Sequence, residues 1–278
     1  MDYVVSMDYL IYLGVGCIAG LLSGLLGLGG GVVIVPTLIL SFAAMGLPDQ
    51  VMTHIAVATS LACILLTSPV SLYSHYRAGN LRSDILQWLL PAIAIGSMLG
   101  GALAVTANGR VLQFMFGALQ IALGLQLLFN HTVRRLFWNP QVKILQLLGL
   151  MAGTLSAMLG IGGGSLVTPF LTIIGVNIRH AIAAATAAGF VIAAFSSLVY
   201  VNVDLPTDVR VKNCIGLIYL PAFLGISLTS MPAARMGALL VTRIPATALH
   251  TVLGALMLLL GLHFIWLNIA QYLGTNGL

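Results

Sequence analysis

Most of the groups in this chain that could do chemistry sit in two glycine-rich runs. Residues 20–39 read GLLSGLLGLGGGVVIVPTLI, and residues 153–172 read GTLSAMLGIGGGSLVTPFLT. Gly20 and Gly153, Ser23 and Ser156, Gly27 and Gly160, and Pro36 and Pro169 each stand 133 positions apart. So do the triplets Gly29-Gly30-Gly31 and Gly162-Gly163-Gly164. Glycine is a poor helix former, and a triplet frees backbone N–H groups from the helical ladder. A helix that starts just after it points its unpaired N–H groups, and the positive end of its dipole, back at the turn. Such an end binds anions. With Ser23 and Ser156 beside the turns, the chemistry on offer is anion recognition by amides and hydroxyls; the alternative is that the glycines only permit close helix packing, as small residues do in membranes.

The repetition extends along the chain. Thr59 in AVATSL matches Thr186 in AAATAA, Pro91 matches Pro221, and GALQIALGL at 117–125 matches GALMLLLGL at 254–262. Two homologous repeats are expected, 1–130 and 141–278, joined by a basic connector at 131–140. Hydrophobic residues make up 60% of the chain and charged residues 6%, with a mean hydropathy of +1.09. That composition excludes a water-soluble globule and calls for membrane-spanning helices. Apolar stretches cover about 9–46, 51–76, 85–107, 111–129, 141–175, 178–201, 213–232 and 245–273. The first is not expected to be a cleaved signal peptide, because Asp2 and Asp8 precede it where basic residues belong. The stretches at 9–46 and 141–175 exceed one crossing, and both contain a triplet. Irregular backbone at that depth survives only when buried in protein or lining a cavity. The expected fold is an all-α polytopic membrane protein, with four to five crossings and one glycine-broken short helix per repeat.

Charge distribution bears on topology. With five crossings per half the halves are inverted, and Arg77, Arg82, Arg134, Arg135, Lys143, Arg179, Arg235 and Arg243 share one face. Arg110, Arg210 and Lys212 then lie on the other. Eight crossings would divide the same residues seven to four. The positive-inside rule favours the ten-crossing arrangement with both termini outside. Residues 32–45 make only about 21 Å of helix, too short to span, so each motif introduces a short or half-crossing helix.

Missing residue types narrow the function further. The chain has no glutamate, and its acids, Asp2, Asp8, Asp49, Asp84, Asp204 and Asp208, lie at termini or in expected loops. A cation site within the membrane normally needs a buried acid. A zinc protease of the HExxH type is excluded, and Ser23 and Ser156 lie outside any GxSxG elbow. Cys17, Cys63 and Cys214 have no metal-binding spacing. An enzyme, a metal site, a cofactor and a nucleic-acid partner are therefore not expected. What remains suits a small anionic substrate and a lipid bilayer. Tandem Gly-broken helices in related halves are also the pattern of secondary transporters, whose site lies between repeats.

Other polar residues admit two readings each. Thr59, Ser60 and Thr186 lie mid-segment and can bond a substrate oxyanion or simply a neighbouring helix. His54 can carry a proton or face headgroups at a helix end. His75 and Arg77 can recruit anions at a mouth or anchor the interface.

The run GLLSGLLGLGGGVVIVPTLI, followed by AVATSL and HYRAGN, resembles the TauE/SafE family of membrane permeases, the sulfite exporter or toluene-sulfonate uptake permease family. The resemblance covers nearly the whole chain in both halves. It implies a permease of a bacterial or archaeal inner membrane, acting on sulfite, thiosulfate or organosulfonates. A different small organic anion, such as a carboxylate, is the alternative. The motif falls on Gly27, Gly29, Gly30, Gly31 and Pro36, on Thr59 and Ser60, and on Gly160, Gly162, Gly163, Gly164 and Pro169. The second half departs from it at Ala187, which stands opposite Ser60, and at Tyr200-Val201-Asn202, which stands opposite the His75 region.

Overall fold

The computed structural model describes residues 2–26, 30–129, 142–204, 211, 213–240 and 246–276. Gly27, Gly29 and the connector at 131–140 lie outside the described residues. Among the described residues ten helices run in order: α1 (Asp2–Leu26), α2 (Gly31–Ala44), α3 (Asp49–Arg77), α4 (Ser83–Thr106), α5 (Gly109–Phe129), α6 (Val142–Leu159), α7 (Gly164–Ile173), α8 (Ile178–Val201), α9 (Leu220–Leu240) and α10 (Ala246–Asn276). Within the described residues the fold is all-α apart from one small hairpin, β1 (Cys214–Ile215) and β2 (Ile218–Tyr219). That hairpin takes the first residues of a stretch that reads as continuous apolar sequence.

Among the described residues, four helix segments are long and apolar enough to cross a membrane: Val51–Arg77, Ser83–Thr106, Val142–Leu159 and Arg179–Val201. The chain is a multi-pass membrane protein. Helices α2 and α7 are different in kind. Their 14 and 10 residues make roughly 21 and 15 Å of helix, well short of a hydrocarbon core about 30 Å thick.

Each start has a local cause. Gly30 precedes α2 with φ 72°, a left-handed conformation that a Cβ would disfavour. Gly160, near the end of α6, has φ 70° and turns the chain toward α7. Asn177 caps α8 by accepting a hydrogen bond from the Arg179 N–H at 3.0 Å. Proline sits inside both short helices, Pro36 in α2 and Pro169 in α7. A helical proline cannot donate to the carbonyl four residues earlier. In α2 that carbonyl belongs to Val32, and the buried Gln120 of α5 donates to it at 3.0 Å.

Packing interleaves the first five helices with the last five. Helix α1 lies on α9, α4 on α6, α5 on α10, and α3 on both α8 and α9. Lipid tails are as apolar as leucine, so close backbone approach must supply the attraction, and small residues permit it. A Cβ on Gly20 would stand 2.7 Å from the Ser230 Cα, and one on Gly153 would stand 3.1 Å from the Ile93 Cα. Register gives direction. Gly16 and Gly20 meet Ile226 and Ser230, while Thr59 and Cys63 meet Tyr219 and Phe223. Both α1 and α3 therefore run parallel to α9 and so parallel to each other. The chain must reverse twice between them, which makes α2 a returning segment. Gly117 meets Gly261 and Gly124 meets Gly254, so α5 and α10 run antiparallel.

Candidate functional site

The two glycine turns meet at mid-depth. Gly31 lies against the Gly160 carbonyl, the Ile161 backbone and Ile64, and Ile64 is at the middle of the 29-residue α3. Gly163 lies against the Ala185 carbonyl and the Gly189 nitrogen, midway along α8. Both short helices therefore begin halfway along a long neighbour.

Beside the second turn is a cavity of about 20 Å³, room for about one water molecule. Ser23 of α1, Thr67, Ser68 and Ser71 of α3, Gly163 and Gly164 at the start of α7, and Thr186 of α8 line it, with Ile64, Ala185 and Gly189. None of these residues is charged. The first rung of α7 is the Val167 N–H bonded to the Gly163 carbonyl at 2.8 Å. The N–H groups of Gly164, Ser165 and Leu166 precede that rung, at the positive end of the helix dipole. Thr186 donates to the Ile182 carbonyl at 2.9 Å, and Thr67 donates to the Cys63 carbonyl at 3.1 Å. Ser68 is buried, and its Oγ has no hydrogen-bond partner among the described residues. Hydroxyls, a helix N-terminus and no formal charge can hold a compact anion through several moderate contacts.

Of the residues expected from sequence, Ser23, Gly163, Gly164 and Thr186 come together here. Gly162 is buried one residue before Gly163, and its carbonyl accepts from the Ser165 hydroxyl at 3.2 Å. Ser156 is fully buried in α6, and its Oγ has no partner among the described residues, but it does not line the cavity. Gly30 and Gly31 begin α2 on the other side of the turn contact, and Gly29 lies outside the described residues.

Thr59 and Ser60 are fully buried and engaged elsewhere. The Thr59 hydroxyl accepts the Tyr219 N–H at 3.0 Å, and Ser60 donates to the Gly160 carbonyl at 2.9 Å. His54 reaches the Ala104 and Ala107 carbonyls with Nε2, at 3.0 and 3.1 Å, and ties α3 to the end of α4. His75 is half-buried in the last turn of α3. Arg77, beside it, donates from Nε to the Tyr73 hydroxyl at 2.9 Å and stacks its guanidinium 5.3 Å from that ring's centre.

Sequence reasoning passed over Thr67, Ser68 and Ser71. One signal was present: hydroxyls at 67, 68, 71 and 74 recur at helical spacing, on one face of α3.

The sequence profile of the sulfite exporter TauE/SafE family matches residues 12–264. A Haemophilus influenzae protein named "Probable membrane transporter protein" is 29% identical over 241 residues, covering 86% of this chain and 91% of its own length. A Methanocaldococcus jannaschii protein named "Probable membrane transporter protein MJ0441" is 25% identical over 253 residues, covering 90% of this chain and 93% of its own length. A Bacillus subtilis relative, YunE, is 28% identical over 189 residues, covering 60% of this chain and 68% of its own. No solved structure matches. With ten helices, two of them half-length, and a family match across 12–264, the chain belongs to the TauE/SafE sulfite exporter family and is a membrane transporter.

Proposed function

We propose that this transporter is a secondary permease for a small sulfur-containing anion (sulfite, thiosulfate or an organosulfonate), held in a bacterial or archaeal inner membrane. The observation that carries the reading is the uncharged cavity at the start of α7, built from five hydroxyl side chains and a helix N-terminus. A pyramidal or tetrahedral oxyanion presents several acceptors to such donors at once, and moderate contacts let it leave again. The cavity has room for about one water, so admitting a sulfite requires α1, α3, α7 and α8 to separate.

Alternating access of two inverted repeats, about 1–130 and 141–278 with a cytoplasmic connector, would supply that movement. Supporting it, the packing is reciprocal. The first helix of each half lies on the fourth of the other, and the third and fifth helices lie on their own counterparts. Gly117 and Gly124, aligned with Gly254 and Gly261, meet Gly261 and Gly254 in turn.

Counterflow of labelled sulfite in proteoliposomes tests the assignment. Thiosulfate and sulfonates are expected to compete, while cations and neutral amino acids are not. Competition by neutral solutes, with none from any sulfur anion, would refute the reading. Competition by carboxylates alone would retain an anion permease and replace the substrate.

A further inference from the structure

We propose that the charged head of the substrate is bound at the α7 turn alone rather than shared between both turns, with Ser68 as its principal side-chain donor. This rests on the permease reading and adds to it an asymmetric site and a residue that no sequence motif marks. Three observations support it. Ser68 is only 8% exposed, it lines the cavity, and its Oγ has no partner among the described residues. A buried hydroxyl without a partner costs the fold stability and returns none. The neighbouring hydroxyls of Thr67 and Thr186 already donate to carbonyls of their own helices. Ser68 therefore has a proton to offer that Thr67 and Thr186 have spent.

The third observation concerns the opposite turn. There the Gly160 carbonyl oxygen lies against Gly31 and already accepts from Ser60. An acceptor in that position repels an anion, so the α2 start is closed to it both by space and by sign. The start of α7 has the reverse character: Gly163 and Gly164 line a cavity together with hydroxyl side chains, at the positive end of the helix dipole. The class of ligand that fits is an oxyanion with at least two acceptor oxygens, one taken by α7 amides and one by Ser68.

The test compares wild type, Ser68→Ala and Ser68→Thr in proteoliposomes with sulfite, thiosulfate and acetate, alongside melting temperatures without anion. Ser68→Ala is expected to raise the half-saturation concentration about tenfold, the weight of one hydrogen bond to a charged group. Its melting temperature should not fall, since no protein contact is lost, and Ser68→Thr should keep most of the wild-type affinity. A Ser68→Ala half-saturation within twofold of wild type, with sulfite still carried, would overturn the Ser68 assignment and leave the sulfur reading intact. A lowered melting temperature with unchanged affinity would do the same, by showing the hydroxyl to be structural. Carriage of acetate alone, weakened tenfold in Ser68→Ala, would support the site and overturn the sulfur substrate. Wild type that carries none of the three would overturn both.

Discussion

The two glycine turns share a sequence and differ in use. Gly30 and Gly163 align, yet Gly30 has φ 72° and Gly163 has φ −56°. The α2 start is pressed against the Gly160 carbonyl, whereas the α7 start opens on a hydroxyl-lined cavity. The support behind them differs as well. Gln120 of α5 satisfies the carbonyl that Pro36 releases, but the residue aligned with Gln120 in α10 is Met257, also buried and unable to donate. The glycine motif occurs twice in the sequence, at 27–36 and 160–169. In this conformation one copy acts as the wall and the other faces the space.

The largest effect should come from filling the open turn. A Cβ on Gly163 would stand 2.8 Å from the Ala185 carbonyl oxygen and from the Gly189 nitrogen. Gly163→Leu is expected to abolish transport, and because α7 must move off α8, to lower the melting temperature as well. Uptake at the wild-type rate would break the comparison at its base.

A smaller effect is expected at the braced turn. Gln120→Leu removes the donor to the Val32 carbonyl and leaves that acceptor buried, at a cost of about 1–3 kcal/mol. Gln120→Met puts the second half's own residue there and should behave alike. Unchanged melting temperatures in both variants would show that Pro36 needs no partner, and the two turns would then be equivalent in support.

The smallest effect is predicted at Ser60, whose bond to the Gly160 carbonyl joins the halves at 2.9 Å. Hydrogen bonds between membrane helices average about 0.6 kcal/mol and reach about 1.7. Ser60→Ala should lower the melting temperature by that modest amount while raising half-saturation less than Ser68→Ala does. A larger transport defect in Ser60→Ala would move the substrate toward the α2 turn and reverse the assignment of wall and site.

The short helices could be read in the sequence because backbone physics marks them. A glycine triplet followed by a proline within an overlong apolar stretch leaves few other conformations, and Gly30–Pro36 and Gly163–Pro169 bear that mark twice. Duplication also pointed at Thr59 and Thr186, but it flags shared positions, and shared positions serve packing as readily as binding. Thr59 receives the Tyr219 N–H, while Thr186 faces the cavity. Ser68 was invisible for the opposite reason. No aligned partner singles it out, and serine in a membrane helix ordinarily bonds its own backbone. Only geometry shows that this one does not. The hairpin at 214–219 was hidden because residues 214–226 are almost wholly apolar, and hydropathy does not distinguish a buried turn from a helix start.

Helix α1 carries a consequence for how the protein is made. Its close partner is α9, and the bond from the Thr229 hydroxyl to the Leu13 carbonyl joins residues 216 apart. At roughly 5–20 residues per second, the ribosome needs on the order of 10–40 s to produce the strand of chain between them. For that interval the face bearing Gly16 and Gly20 has only lipid, or an insertion factor, to lean on. Assembly of this transporter is thus governed by its last-made helices, and a nascent chain halted after the first repeat would hold half a lock with no bolt.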